Sequence, residues 1–588
     1  MKILHLFQFS FFVSIVCFCF AACTPSQPEE ENTPVVQASY VRDELSVQQG
    51  QALFTQYCAS CHNFEEAVIG PNLSGVTAEV DKEWLASFIH NAPEMIDGGD
   101  ERAQMLFKKY NQYMPAFPML DSVQVEHILG YIHKFSEAQQ RSQNKRPGAL
   151  INPVERKIPQ SDLKLVLEEV LTVPPSDSVP PLARINKLLA IEGSERLFLH
   201  DLRGKLYEIT DRNPQVYLDM NDKFADFIHV PGYGTGLGSF AFHPEFAQNG
   251  LLYTTHTESA DAAPADFPLP DSINTKLQWV LVEWKTDDPQ AAQFSGSQRE
   301  LLRVDMVSQV HGFQEVTFNP LASPGEPEYG LLYLGMGDGG AGGRYPYLYD
   351  NNTQIWGSVL RIDPSGNNSA NGQYGIPADN PFVNNPEAVH EIWARGFRNA
   401  HRISWDMTGS GKMFITNIGQ HSVEEVNLGV AGGDYGWPNR EGAFLFDHKA
   451  NPEVVYPLPE QDSGYVYPVA QYDHDEGNAI SGGFVYAGAE VPALKGKYIF
   501  GDIPRGKVFY AEVDEMELGQ QAPVYALSLE FEGQSTDLVS MVQNRRVDLR
   551  FGLDAAGELY LFTKANGTLY KVVDCKDTSA TASVMAND

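Results

Sequence analysis

Apolar positions recur along this chain in two rhythms, and the change between them near residue 160 divides it. Toward the N-terminus they follow the spacing of amphipathic helices. A helical pattern opens near Ser46. Trp84-Leu85-Ala86-Ser87-Phe88-Ile89-His90 places apolar residues at i, i+1, i+4 and i+5, and Val123 to Phe135 sets Ile128, Leu129, Ile132 and Phe135 on one face. From about Leu163 to Val573 the apolar runs shorten and are bounded by Gly, Pro, Asn and Asp. Examples are Arg196-Leu-Phe-Leu-His200, Leu251-Leu-Tyr-Thr-Thr255, Leu331-Leu-Tyr-Leu-Gly335, Met413-Phe-Ile-Thr416, Lys497-Tyr-Ile-Phe-Gly501 and Glu558-Leu-Tyr-Leu-Phe562. These read as strands, and their recurrence indicates sheet modules repeated around a ring. At roughly 65–70 residues per module the stretch holds six, a six-bladed β-propeller. The fold class is therefore multidomain: a small all-α domain followed by an all-β propeller.

The segments between these rhythms fill in the organisation. Met1-Lys2 and the apolar run Ile3 to Phe20 form a secretory leader. The run ends in Phe20-Ala21-Ala22-Cys23, which resembles a bacterial lipoprotein signal cleaved before Cys23 and lipidated there. The expected product is an exported, periplasmic or cell-surface lipoprotein, held to a membrane by its N-terminal lipid. No later apolar stretch is long enough to span a bilayer. Residues 23–40, rich in Pro, Glu and Gln, read as a tether. The expected domains are a leader over 1–22, a helical domain over 41–138, a polar linker over 139–162, the propeller over 163–574 and a disordered tail over 575–588.

The chain is acidic, with 42 Lys and Arg against 76 Asp and Glu, a net charge of -34. That argues against nucleic acid, which needs clustered basic residues. It reads first as a solvated surface and second as a docking face for a basic redox partner.

Chemistry enters at Cys58-Ala59-Ser60-Cys61-His62, the c-type haem attachment signature. Each thiol adds across one porphyrin vinyl group, and the adjacent imidazole reaches the iron. A redox CxxC or half of a zinc site are the bland alternatives. A zinc site needs a second Cys/His pair, and beyond the leader and its junction the remaining cysteine is the distant Cys575. The candidate haem residues are Cys58 and Cys61, with His62 as axial ligand. The surroundings resemble class I cytochromes c. Gly70-Pro71-Asn72-Leu73 matches the loop whose proline carbonyl orients the histidine. Tyr113-Met114-Pro115 matches the Met-Pro loop that supplies the sixth ligand, making Met114 the candidate and Met119 the reserve.

The later segment carries a series of motifs in order. They are Leu237-Gly-Ser-Phe-Ala-Phe-His243, His311-Gly-Phe-Gln314, Gly335-Met-Gly-Asp338-Gly-Gly340, Val359-Leu-Arg-Ile-Asp363, Arg395-Gly-Phe-Arg398-Asn399-Ala-His401-Arg402, Ile418-Gly419-Gln420, Gly433-Asp-Tyr-Gly-Trp437, and Arg545-Arg546-Val-Asp548-Leu-Arg550. Together they resemble the PQQ-dependent soluble glucose/aldose sugar dehydrogenases, also called glucose/sorbosone dehydrogenases. The resemblance implies oxidation of a sugar or polyol with PQQ and Ca²⁺ as cofactors, and electrons passing to the haem c and then to an external acceptor. It makes His311 the general base, a role suited to imidazole near neutral pH. Arg398, Asn399, Arg545 and Arg550 become contacts of PQQ, whose carboxylates suit guanidinium. Gly419 and Gln420 become calcium ligands through their backbone carbonyls. Trp437 reads as core. The chain departs from the best-known glucose dehydrogenases at Tyr233 and near Gly343, where glutamines are expected, and at Pro504-Arg505, where a lysine is expected and Arg505 or Lys507 is the candidate substitute. The other reading is a catalytically inactive propeller that binds carbohydrate or protein beside an electron-transfer cytochrome.

Overall fold

The computed structural model describes residues 40–579, apart from 59–60, 63, 65–69, 111–112, 139–146, 179, 192, 231–233, 343–344, 448–450 and 452–453. The expected leader, Cys23 and nearly all of the tether lie outside the described residues, as do Tyr233, Gly343 and the chain after 579. Among the described residues no helix is long and apolar enough to cross a membrane.

The helical part comprises α1 (Glu44–Tyr57), α2 (Val76–Glu79), α3 (Lys82–Asp97), α4 (Glu101–Tyr110) and α5 (Ser122–Ala138). Asp43 starts α1 by accepting the Ser46 amide at 2.9 Å, and Asp81 starts α3 by accepting that of Trp84 at 3.0 Å. Pro93 cannot donate within α3, and the helix is interrupted at Asn91, whose backbone is non-helical. Phe54, Cys58, Phe64, Leu85, Ile89, Ile128, Leu129 and Ile132 share one core. The apolar stripes thus predict α1, α3 and α5. They miss α4, which buries Ala103 alone.

The rest is all β. Four four-stranded antiparallel sheets follow in chain order, beginning with strands Ile185–Ala190, Leu237–Phe242, Phe313–Phe318 and Ala400–Trp405. A nine-stranded sheet contains two further four-stranded arrays, one starting at Ile480–Val485 and one at Leu549–Leu553. The first strands of these arrays pack against one another in a closed ring, with Leu549–Leu553 returning to Ile185–Ala190. This is a propeller-like fold. Strand Gln160–Thr172 joins the two arrays of the large sheet, parallel to Tyr525–Phe531 and antiparallel to Thr568–Asp577. An N-terminal strand pinned beside the C-terminal one closes the ring with backbone hydrogen bonds.

Two expectations need correction. The tail does not begin at Cys575: that residue pairs with Leu165 inside strand Thr568–Asp577. The linker does not reach 162: strand Gln160–Thr172 begins before that, and ahead of it Leu150 bonds Val455 at 2.8 Å and Val154 bonds the Asp473 carboxylate at 2.9 Å.

The centre of the ring is polar. Glu315 receives both Lys187 and Arg402, from the first strands of two other sheets. Arg402 also donates to the Asn186 carbonyl at 3.1 Å, and Arg550 to the Asn186 side chain at 3.0 Å. Buried charges need such pairing, and here it crosses from sheet to sheet. Helices and sheets lie in one compact unit that begins at Tyr40.

Candidate functional site

The haem motif continues the turn that ends α1. The amides of Cys61 and His62 both bond the Cys58 carbonyl at 3.0 Å. His62 is held by its Nδ1, 2.9 Å from the Pro71 carbonyl oxygen. A carbonyl can only accept, so Nδ1 carries the proton and Nε2 keeps its lone pair for a metal. Gly70 is required beside it, since a Cβ there would lie 2.4 Å from the His62 ring. Met114 packs on the same core as Cys58. The two thiols and the imidazole therefore suit a covalently attached haem.

The second site is a cavity of about 1140 Å³ at the mouth of the ring. His311, Arg398, Asn399, Gly419, Gln420 and Arg550 all line it. Arg545 does not, and its expected role as a PQQ contact is corrected. Its guanidinium lies instead against Phe107 and Tyr113 of the helical domain, and the neighbouring Arg546 lines the cavity.

His311 sits in the turn before strand Phe313–Phe318 with φ +56, a left-handed conformation that non-glycine residues seldom adopt. Its Nδ1 is 2.7 Å from Asp338 Oδ1. Asp338 is buried, and its Oδ2 accepts the Trp437 indole N–H at 3.1 Å. Burial pushes this carboxyl up, but His311, Arg398 and the Gly340 amide more than offset that and hold it below the usual range. Burial, with the Arg398 charge, pushes the His311 imidazole down against the pull of Asp338. The result is a neutral imidazole with Nδ1 protonated and Nε2 available as a base. The motifs single out neither the Asp338 carboxylate as the group that orients His311 nor Trp437 as its support. The Gly-Asp-Gly-Gly run was the available signal for the first.

Arg398 donates to the Gln420 side chain and, at 3.3 Å, to the Ile418 carbonyl. Four successive amides, from Gln420 to Val423, lie 2.7–3.0 Å from Glu441 Oε1, which fixes the Gly419-Gln420 loop from behind. Gly419 also donates to Glu424 at 3.3 Å. Among the described residues no group of three or more His, Cys, Asp or Glu is placed to hold a metal. A calcium ion here would rest on backbone carbonyls, as hard oxygens allow.

The charge of the cavity is opposite to that of the chain. Eight Lys and Arg side chains line it against two Asp, in a chain of net charge -34. Sequence reasoning missed Arg184, Lys564 and Arg546 among them. Burial and the Arg550 charge push the Lys564 ammonium well below its usual range, with Asp548 as its counterweight. Burial likewise pushes the Arg550 guanidinium down. Asn399 Oδ1 is buried without a hydrogen-bond partner. Clustered, incompletely neutralised cations and an orphaned amide oxygen fit a polyanionic ligand, and a planar tricarboxylate such as PQQ meets that demand.

A closed ring of antiparallel sheets with a buried His–Asp pair in a cationic mouth defines a propeller of the sugar dehydrogenase type. Residues 186–571 match the family profile described as Glucose / Sorbosone dehydrogenase, and residues 47–136 match the one described as Cytochrome c. The chain belongs to the glucose/sorbosone dehydrogenase family and carries a cytochrome c domain ahead of the propeller. It is 29% identical to the HIPL1 protein of Arabidopsis thaliana over 53% of this chain and 50% of that protein. It is 26% identical to human Hedgehog-interacting protein over 66% and 50%, and 26% identical to quinoprotein glucose dehydrogenase B of Acinetobacter calcoaceticus over 40% and 42%. The chain thus spans about half the length of these curated relatives. The crystal structure of the soluble aldose sugar dehydrogenase from Escherichia coli in the apo form overlays 71% of this chain and 99% of its own with a TM-score of 0.50 at 16% identity, which speaks for the fold.

Proposed function

We propose that this protein is a quinohaemoprotein oxidoreductase that oxidises an aldose or related polyol at a PQQ site in a six-bladed propeller and passes the electrons to its own haem c. The observation that carries the reading is the His311–Asp338 pair, 2.7 Å apart, in a cavity whose cations suit the cofactor. Bound there, PQQ with Ca²⁺ would supply a two-electron acceptor. The chain's own residues do the rest. His311 takes the hydroxyl proton on Nε2, and Asp338 stabilises the imidazolium that results. Trp437 keeps Asp338 in place. Arg398, Asn399 and Arg550, with Lys564, hold the cofactor's polar edge. Gly419 and Gln420 offer carbonyls to calcium. Cys58, Cys61, His62 and Met114 would hold the haem, which would supply a one-electron acceptor.

The domain arrangement belongs to the same proposal: helical domain 41–138, a propeller whose strands run from Gln160 to Asp577, and an N-terminal lipid on Cys23 that anchors an exported protein. A downstream cytochrome or oxidase receives the electrons. Reconstitution with PQQ and Ca²⁺ against a panel of aldoses tests this reading through the reduced-haem band. Haem reduction by at least one sugar supports it. No reduction by any, with the cofactor bound, contradicts it.

A second reading has a specific basis. Tyr233 stands where the resemblance to glucose dehydrogenases calls for a glutamine, as does a position near Gly343, and one relative is named for interacting with another protein. A catalytically inactive propeller that binds carbohydrate or protein would leave the cavity unable to take PQQ, so equilibrium binding of PQQ separates the two.

A further inference from the structure

The cavity at the mouth of the ring is walled in part by the cytochrome domain. Phe107, Lys108 and Tyr110 of α4 line the same space as His311 and Arg398. One propeller side chain reaches across to fix this arrangement. The Arg545 guanidinium lies 5.1 Å from the Phe107 ring centroid and 4.8 Å from that of Tyr113, and those two rings are 4.6 Å apart. Asp97, the last residue of α3, completes the receptor: its Oδ1 accepts the Tyr113 hydroxyl at 2.7 Å and Arg545 Nη2 at 3.4 Å. Three elements of the cytochrome thus converge on one cation. The Arg545 side chain remains 55% exposed, so the ion pair contributes little. The two aromatic faces, to which a planar guanidinium is suited, contribute more.

Position in the sequence gives this contact its consequence. Tyr113 directly precedes Met114, the candidate haem ligand. Arg545 directly precedes Arg546, which lines the cavity and holds Asp548 at 2.8 Å. We propose that Arg545 is an interdomain clamp. It seats the Met114 side of the cytochrome on the rim of the cavity, so that α4 walls the cavity and the haem stands at a short, fixed distance from the donor site. The electron-transfer part of this proposal rests on the function proposed above; the docking part does not. Oxidation of one hemiacetal to a lactone breaks its C1–H and O–H bonds and releases two electrons and two protons. A haem held by Cys58, Cys61 and His62 would accept these electrons one at a time, for delivery to an external one-electron acceptor. A tether alone supplies only a raised effective concentration. The clamp supplies a geometry, and electron transfer falls off steeply as the gap widens.

The test uses the full-length, haem-loaded protein and Arg545→Ala. Hydrogen exchange without donor reads docking. The expected result is faster exchange in α4 and in residues 543–548, with the rest of both domains unchanged. After loading with PQQ and Ca²⁺, the rate of haem reduction by an aldose should fall about tenfold, the scale set by losing two cation–π contacts together. Oxidation of the same aldose with a small diffusible dye as acceptor should keep its rate. Arg545→Lys, which keeps the charge but not the planar stack, should fall between. Unchanged exchange in α4, an unchanged rate of haem reduction, or an equal loss of the dye-linked rate would each overturn the clamp. If the unaltered protein reduces its haem with no sugar, the proposed function fails, and the exchange comparison still decides the docking.

Discussion

The two candidate site histidines are held by the same ring nitrogen but by partners of different charge. His62 Nδ1 meets the Pro71 carbonyl at 2.9 Å, and His311 Nδ1 meets the Asp338 carboxylate at 2.7 Å. A neutral carbonyl fixes the tautomer and leaves Nε2 a neutral lone pair, as a metal ligand needs. A carboxylate also stabilises the imidazolium, as a base needs once it has taken a proton. The supports differ in span as well. Pro71 lies nine residues from His62 on the adjoining loop. Asp338 is 27 residues from His311, and Trp437 is 99 beyond Asp338. One site is built by a local stretch of chain, the other by two paired strands of one sheet and a residue from beyond it.

This contrast can be broken or sharpened by substitution. The largest effect is expected from His62→Ala, which removes the proposed iron ligand: the haem spectrum should change outright, whereas the propeller's PQQ affinity should not. Asp338→Asn is expected to lower dye-linked turnover by about 10²-fold, the low end of general-base contributions. It should also move the acid limb of the pH–rate profile. Burial and Arg398 already push the His311 pKa down, while Asp338 pulls it up. The limb in the unaltered protein should therefore lie below the ordinary imidazole value of about 6.5, and losing the carboxylate should carry it further toward acid. An upward shift would contradict the assigned roles. The smallest effect is expected from Trp437→Phe, which removes one hydrogen bond to Asp338. A fall of about fivefold, roughly 1 kcal/mol, with the haem spectrum unchanged, would place Trp437 as a support of the pair.

The same difference in span governs what could be read from the sequence. The haem site was legible because Cys58, Cys61 and His62 lie within one turn, and helices α3 and α5 because their apolar stripes repeat. Strands were legible at Leu197, Leu251 and Leu332 because short apolar runs end in turn residues. Helix α4 was not, since it covers a neighbouring domain instead of a core of its own. In the propeller, resemblance located His311, Arg398, Asn399, Gly419, Gln420 and Arg550 on one cavity, and no spacing rule would have. It misassigned Arg545, because Arg545 and Arg546 lie in the irregular segment before strand Leu549–Leu553 and the motif did not say which of the two turns inward. The Lys187–Glu315–Arg402 staple at the centre of the ring was invisible for the same reason: its members are 128 and 87 residues apart, and only closure of the ring brings them together.

The most direct test of the two-histidine circuit is a single-turnover experiment on His311→Ala loaded with PQQ and Ca²⁺. The account predicts a normal haem spectrum, full reduction of the haem by dithionite, and loss of its reduction by an aldose. Reduction of the haem by the aldose at the rate of the unaltered protein would contradict it.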